Sequence, residues 1–381
     1  MTSTSTEKSE QPTANSRNSN VNGDILPKMP RYIFLDSGGV INDNDRRAPQ
    51  WVDHLEEYMP KTCIGGPPQL WGRANATLSS RLFIGENRER DWDRLIMQAT
   101  DFKDFSRKYY LYWLQGAVEL VNELLREEYE QEQAQQIDLS EIDVEPRKLV
   151  QLELPGSEEE QIQIAHEAHM YCTARVQADY PGAVDAILRL KFEQKFEMFT
   201  CSGETATELE LTFRTLGIST LTPGSGSGSL SVSQSWQDTE SGSGSGQQDF
   251  KQETMTEMAI ELQPVFTKLY GPDLINCHKG SSQFYALIFQ DSGVDPHDAV
   301  VVDDKEYILG WAKVHGARTV MISDKDRKGN ELMVELEEEV EDGGVKVVRK
   351  RMVLAVDHQL SSLAELPELT AEWRRHHEQQ A

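Results

Sequence analysis

Several polar residues in this 381-residue chain stand near the ends of short apolar segments, and their types suit phosphoryl chemistry. They are Asp36, Ser202, Lys279, Asp303 and Asp304. Carboxylates that lie close together cannot all stay ionised without a cation, and a ligand set of oxygen atoms favours magnesium. An aspartate can also attack phosphorus, while a lysine and a hydroxyl hold the transferring oxygens and neutralise developing charge. The set therefore predicts phosphoryl transfer with Mg²⁺, provided that the fold brings these residues together.

The elements that must position these residues are predicted to be buried parallel strands that alternate with helices. Short β-branched and aromatic runs with polar carboxyl ends predict strands within 31–41, 195–203, 298–306 and 317–324. Helical patterns occupy 181–191, 205–217 and 281–293. This alternation predicts an open parallel α/β sheet, in which a ligand lies beyond the carboxyl ends of the strands.

A long insertion separates the first predicted strand from the second. Residues 103–129 within it have apolar side chains at helical spacing, and no segment of the insertion reads as a convincing strand. We therefore predict a helical insertion at 45–178 with its own small core. The α/β core then consists of 29–44 and 179–370.

Two low-complexity segments and the end of the chain are predicted to lie outside these units. The first 28 residues are rich in Ser, Thr, Asn and Gln, and 223–248 is rich in Gly and Ser. Such compositions bury too little apolar area to fold, so we predict a disordered tail at 1–28 and a disordered loop at 223–248. Residues 371–381 are predicted to be a C-terminal tail.

The charge of the chain limits its partners. The formal net charge is −26, and this excess of carboxylates argues against general nucleic-acid binding. Much of the charge lies in two runs, 119–160 with 14 acids and three bases, and 331–342 with seven acids and no base. We favour solvated excursions over an acidic docking surface for a protein partner, because neither run has ligand-like spacing.

The sequence shows neither a membrane span nor a secretory signal. No apolar run approaches the roughly 18 residues of a membrane span, and the first 28 residues lack the apolar stretch of a signal peptide. We therefore expect a cytoplasmic protein, with the nucleus left open, and no membrane partner. The four cysteines are scattered and form no CxxC pair, which argues against a disulfide framework and a structural zinc site.

Four short motifs contain the polar residues, in the order DSGGV (36–40), TCSG (200–203), HKG (278–280) and VVVDDKEYILGWAKVHGARTVMI (300–322). They resemble the four ordered motifs of the haloacid dehalogenase-like (HAD) hydrolase superfamily. The resemblance covers roughly 130 residues of core. It implies a Rossmann-like parallel α/β core (HAD-like) with a helical cap domain inserted between the first and second motifs.

The resemblance also implies a role for each motif residue. Asp36 would be the nucleophile, and Ser202 with Gly203 would bind the phosphate. Thr200 is a rival ligand if the register differs. Lys279 would stabilise charge and contact the phosphate.

The resemblance implies that Mg²⁺ is held by Asp36, the backbone carbonyl of Gly38, Asp303 and Asp304. Gly38 departs from the pattern, because family phosphatases usually have an aspartate there that protonates the leaving group. Loss of general acid catalysis costs roughly 10²–10⁴ in rate. A branch that includes sugar-phosphate phosphatases resembles this chain in combining glycine at this position with an Asp-Asp final motif. Asp43, Asp45 or a residue of the cap remain open as substitutes.

Two functions follow from these expectations. The leading one is a magnesium-dependent phosphatase that acts on a small phosphorylated metabolite through an aspartyl-phosphate. The alternative is a catalytically weakened or inactive HAD-fold protein that binds a phospholigand or a protein, and Gly38 favours it. Dehalogenation by Asp36 would need no metal, so the pair Asp303 and Asp304 argues against it. For Cys277 and His278 we favour a packing role over metal or thiol chemistry.

Overall fold

The computed structural model describes residues 29–83, 88–136, 150–220, 264–323, 332–342 and 345–380. The two segments predicted to be disordered, 1–28 and 223–248, lie outside the described residues. No helix in the described part of the chain is both long enough and apolar enough to cross a bilayer.

A five-stranded parallel sheet forms the centre of the core. Its strands are β1 (Tyr32–Leu35), β2 (Glu197–Thr200), β3 (Ala299–Asp303), β4 (Arg318–Ile322) and β7 (His358–Leu360), in the order β2-β1-β3-β4-β7. The side chains of the central strands are buried on both faces, because β1 and β3 alternate between two hydrophobic clusters. All four predicted strands are present, and the predicted parallel α/β class is confirmed.

Five helices between β1 and β2 form the cap. They are α1 (Asn44–Tyr58), α2 (Pro68–Phe83), α3 (Arg88–Gln98), α4 (Phe102–Gln136) and α5 (Glu158–Thr173). They pack around a hydrophobic core of their own, in which Trp71 and Leu114 are fully buried. The predicted helical insertion after the first strand is therefore present, beside the predicted parallel sheet.

The remaining helices belong to the core. They are α6 (Ala183–Leu188), α7 (Ala206–Thr215), α8 (Pro272–Ile275), α9 (Gln283–Ser292), α10 (Glu306–Val314) and α11 (Leu366–Gln380). We predict a C-terminal tail at 371–381. Residues 371–380 instead belong to helix α11, which ends at Gln380. Trp373 packs against the hydrophobic core, and the Arg374 guanidinium donates to the Gln194 carbonyl at 2.8 Å, so both residues anchor the second half of this helix.

The acidic run 331–342, which we predict only as a solvated excursion, forms a regular strand. Strand β5 (Met333–Asp342) pairs antiparallel with β6 (Val345–Leu354) in a separate two-stranded ribbon. The basic residues of 346–351 in β6 lie opposite or diagonal to the acids of β5, and Lys350 Nζ lies 2.8 Å from Glu335 Oε1. Pairing with a basic strand thus explains how so acidic a segment takes up an extended ladder.

Candidate active site

The register of the sheet brings the first and last motifs to one edge. Leu35 of β1 pairs with Val302 of β3, so the residues that follow, Asp36 and Asp303, leave the two neighbouring strands at the same level. Lys279 lies in the loop between α8 and α9, and its Nζ is 2.7 Å from Asp36 Oδ2 and 2.7 Å from Asp303 Oδ2. All three side chains are buried. The three residues therefore form one charged centre beneath the cap.

Mutual charge stabilises the ionised form of Lys279. Burial alone would lower its pKa, but the attraction of Asp303 and Asp36 outweighs burial and raises the pKa above its usual value. Burial raises the pKa of Asp36 to about 6, and Lys279 limits the rise. Burial likewise raises the pKa of Asp303. At neutral pH the centre thus holds a cationic lysine between carboxylates that burial makes costly to ionise.

The side chains present fit a divalent cation. Asp304 follows Asp303, and carboxylate oxygens of Asp36, Asp303 and Asp304 all lie within 4.8 Å of one another. Asp304 Oδ1 is buried and has no hydrogen-bond partner among the described residues, and Lys305 Nζ is 3.7 Å away. A hard cation with oxygen ligands, such as Mg²⁺, would satisfy this oxygen and offset the repulsion of the acids. The backbone carbonyl of Gly38 as a fourth ligand stays a prediction.

The first loop is shaped to pass close to these acids. Gly39 has a φ of +82°, and a Cβ there would lie 2.6 Å from Asp304 Oδ2. Glycine is therefore required at 39 both for its backbone conformation and for the space that the carboxylate occupies. Gly38 has no positive φ, and its Cβ would meet only the Asn44 side chain, at 3.3 Å from Oδ1. A larger residue at 38 is thus far easier to accommodate.

The second motif lies beside Lys279. A Cβ on Gly203 would be 3.9 Å from Lys279 Cδ, and the buried Ser202 hydroxyl accepts from the Glu204 N–H at 3.3 Å. The rival ligand Thr200 has its hydroxyl committed, because Thr200 Oγ1 donates to the Tyr270 carbonyl at 3.1 Å. Gly203 therefore adjoins Lys279, and the hydroxyl of Ser202 next to it bonds to Glu204.

The two acids named as substitute proton carriers are placed differently. Asp43 is the N-cap of α1, and its carboxylate accepts from the N–H groups of Asp45 and Arg46 at 2.9 and 3.3 Å. Asp45 is exposed on the first turn of α1. The capping bonds give Asp43 a structural role, and the exposure of Asp45 gives it none in the buried centre. A residue of the cap as a proton carrier stays a prediction.

Sequence reasoning missed two residues that adjoin the site, Arg47 and Glu204. Arg47 of α1 forms an ion pair with Glu204, which also accepts from the hydroxyls of Ser37 and Ser202. Burial alone would raise the pKa of Glu204, but Arg47 and these hydrogen bonds lower it below its usual value. The available signal was an acid directly after TCSG, close to the hydroxyl that we expect to bind phosphate. The glutamate is thus a permanent anion beside that hydroxyl.

For Cys277 and His278, the structure shows packing and loop contacts. The His278 ring lies edge-on to Phe105, and its Nδ1 accepts from the Gly280 N–H at 3.0 Å. The cluster of possible metal ligands found among the described residues is formed by aspartates alone. Both observations agree with the packing role favoured from the sequence.

No protein-family model matches the chain, and no curated protein matches its sequence. Among solved structures it is similar to the L-2-haloacid dehalogenase of Xanthobacter autotrophicus (15% identity, 90% of this chain and 99% of that chain, TM-score 0.41). It is also similar to the HAD-hydrolase YfnB of Bacillus subtilis bound to magnesium (11% identity, 90% of this chain and 99% of that chain, TM-score 0.44). A third similar structure is CbbY of Rhodobacter sphaeroides in complex with phosphate (14% identity, 89% of this chain and 96% of that chain, TM-score 0.41). At these values the similarities carry no argument about activity.

Proposed function

We propose that this protein is a hydrolase of phosphate monoesters that depends on Mg²⁺ and acts on a small phosphorylated metabolite. The observation that carries the proposal is the position of Lys279, whose Nζ lies 2.7 Å from both Asp36 and Asp303. A fixed cation beside a buried carboxylate supports a nucleophilic role for Asp36. Asp304, whose buried Oδ1 accepts no hydrogen bond among the described residues, would be the third acid of a metal site.

The residues divide the chemistry between them. Asp36 attacks phosphorus, an Oδ–P bond forms, and the bond from phosphorus to the leaving oxygen breaks, which leaves an aspartyl-phosphate that water then hydrolyses. Because its pKa is about 6, Asp36 is mainly ionised at neutral pH. Lys279 and the Ser202 hydroxyl hold the phosphoryl oxygens. Mg²⁺ held by Asp36, Asp303 and Asp304 would neutralise the charge of the phosphoryl group.

One observation favours the alternative, a catalytically weakened or inactive phospholigand binder. Gly38 offers no carboxylate to protonate a leaving group, and Asp43 uses its carboxylate as a helix cap. A protein with this centre could bind a phosphate between Lys279 and Ser202 without turning it over. The two candidates differ in whether turnover depends on Asp36.

A comparison of the wild type with Asp36→Asn tests the proposal. Phosphate release is measured with and without Mg²⁺ across a panel of phosphorylated metabolites and one activated aryl phosphate. Asparagine keeps the shape and an acceptor for Lys279 but cannot attack phosphorus, so turnover should be lost while inorganic phosphate still binds. Phosphate binding without turnover that depends on Asp36 would instead favour the non-catalytic binder.

A further inference from the structure

The loop that presents Lys279 is held from the cap. Asn276 ends α8 in the left-handed region, with φ of 48°, and its Oδ1 accepts from the Phe102 N–H at 3.1 Å. Phe102 is the first residue of α4, and the first N–H groups of a helix have no acceptor within the helix. A side chain of the core therefore caps the longest helix of the cap.

A second contact holds the same loop two residues later. The His278 ring lies 5.1 Å from the Phe105 ring of α4, at an interplanar angle of 77°. His278 also closes the loop on itself, because its Nδ1 accepts from the Gly280 N–H at 3.0 Å and its carbonyl accepts from the Ser281 N–H at 2.8 Å. The residues on both sides of Lys279 are thus held in place. Asn276 and His278 contact the cap, while Gly280 and Ser281 donate to His278 within the loop.

The position of this loop matters because the Lys279 ammonium must contact two carboxylates at the same time. Its Nζ is 2.7 Å from two separate carboxylates, and its side chain is almost fully buried. The buried side chain cannot change rotamer freely to follow a shifted backbone, so its ammonium reaches both acids only where the loop holds the backbone at the correct distance. A small shift of the loop would lengthen one or both ion pairs.

We propose that Asn276 is a positioning residue that couples the placement of cap helix α4 to the placement of Lys279. The carboxamide holds the loop to the N-terminus of α4, so the charge-stabilising centre is complete only with the cap in this position. The catalytic consequence rests on the proposed phosphatase function. The coupling itself is a property of the loop and is measurable without turnover.

Two substitutions at the same position separate the side-chain contact from the backbone conformation. Asn276→Gly keeps the left-handed conformation at no steric cost and removes the acceptor for Phe102. Asn276→Asp keeps an acceptor, and a carboxylate is favourable at a helix N-terminus. Phe105→Leu is a third variant, which loosens the other contact from the cap side should the glycine variant fold poorly.

The experiment measures amide hydrogen exchange of residues 277–281 in the full-length protein. It also measures kcat and KM for the compound of the phosphate panel that the wild type hydrolyses fastest. We expect faster exchange in Asn276→Gly and a fall in kcat of roughly tenfold, because small misplacements of catalytic groups are costly. Asn276→Asp should keep both the exchange rate and kcat close to the wild-type values. Phe105→Leu should speed exchange and lower kcat, as in the glycine variant.

Equal exchange and equal kcat in the wild type and in Asn276→Gly would overturn the inference. So would a loss of kcat that Asn276→Asp fails to restore, since the acceptor would then not be the cause. If the wild type turns over no phosphorylated compound, the proposed function fails, and the contrast in hydrogen exchange between the glycine and aspartate variants alone decides the positioning role.

Discussion

Arg47 and Glu204 form a largely buried ion pair between the first helix of the cap and the loop that follows β2 in the core. Their side chains are 21% and 17% exposed, and Glu204 also accepts from the Ser202 hydroxyl at 3.4 Å. Arg47 is therefore the group that balances a buried anion beside Ser202, where we propose that a phosphorylated substrate binds. Without Arg47, the carboxylate would repel a phosphate and stay buried without its charged partner.

This relationship predicts a non-additive pair of substitutions. Arg47→Gln should lower the free energy of unfolding by about 2 kcal/mol, less than for a fully buried pair because both groups are partly exposed. It should also weaken binding of inorganic phosphate. The double variant Arg47→Gln with Glu204→Gln should recover most of both losses, because no unpaired charge then remains. Denaturant unfolding and phosphate titration check this, and strictly additive effects would contradict the coupling.

The buried oxygen of Asp304 that accepts no hydrogen bond among the described residues leads to a prediction about metal binding. Asp304→Asn leaves the contacts of Lys279 with Asp36 and Asp303 in place, so the variant should fold. In metal-free buffer it should be slightly more stable than the wild type, because one of three crowded carboxylates is gone. Added Mg²⁺ should raise the melting temperature of the wild type and leave that of the variant unchanged.

A matched pair of glycine substitutions serves as a control for this metal prediction. Gly39→Ala places a Cβ 2.6 Å from Asp304 Oδ2 in a left-handed backbone, so it should displace the carboxylate and also abolish the shift. Gly38→Ala meets only the side chain of Asn44 and should keep the shift. Equal shifts in all of these proteins would place the metal elsewhere.

The parallel sheet could be predicted from the sequence because its central strands are short apolar runs with polar ends. Tyr32–Leu35 and Ala299–Asp303 have this pattern. The edge strand His358–Leu360 has three residues and no apolar run, and it exists because Met321 and its neighbours in β4 offer a free edge. Strand Met333–Asp342 depends on pairing with β6, a strand that contains basic residues, and this pairing is not revealed by any local pattern.

That Asp36 and Asp303 lie close together could be predicted for the same reason, since parallel strands end at one edge of the sheet. The side chains that reach the site from distant parts of the chain could not be predicted. Arg47 and Glu204 are 157 residues apart and meet only because the cap packs on the core. Asn276 reaches Phe102 from a distance of 174 residues in sequence. Contacts of this kind arise from tertiary packing between two units, which local periodicity does not encode.

The buried histidine of the cap predicts a dependence of stability on pH. His169 is packed among Trp51, Tyr109, Tyr110 and Trp113, with ring centroids 4.9 to 5.6 Å from its own. Burial lowers its pKa to about 3, and the charges of His166 and Arg47 act in the same direction. The folded protein thus keeps this imidazole neutral, while the unfolded chain protonates it near pH 6.5.

The sign follows from the depressed pKa of the folded state. Between about pH 6.5 and 3 the unfolded chain binds the extra proton, so stability falls as the pH falls through this range. At pH 5 the contribution of His169 should be a loss of about 2 kcal/mol relative to pH 7. His169→Phe keeps an aromatic ring and cannot titrate. Between pH 7 and pH 5 this variant should therefore lose about 2 kcal/mol less stability than the wild type. Unfolding curves at the two pH values test this, and the same loss in both proteins would show that His169 titrates normally.

The absence of a carboxylate at Gly38 predicts a gain of function. Gly38 has no positive φ, and a Cβ there meets the exposed side chain of Asn44 at 3.3 Å, which can rotate away. Gly38→Asp should therefore fold with a change of less than about 1 kcal/mol in the free energy of unfolding. If the protein is a phosphatase, the new acid should raise kcat by about tenfold or more for alkyl phosphates, whose leaving groups need a proton. An activated aryl phosphate should respond little, because its leaving group departs as an anion.

Gly38→Asn is the matched control for this gain, since it has nearly the same shape and no acid. It should leave kcat for alkyl phosphates close to that of the wild type. A gain in both variants would point to a change of loop conformation rather than to proton transfer. A well-folded Gly38→Asp with no gain on any substrate, in a background where Asp36→Asn does abolish turnover, would mean that another residue already supplies the proton. The cap would then be the place to find it, because Asp43 caps α1 and Asp45 is exposed.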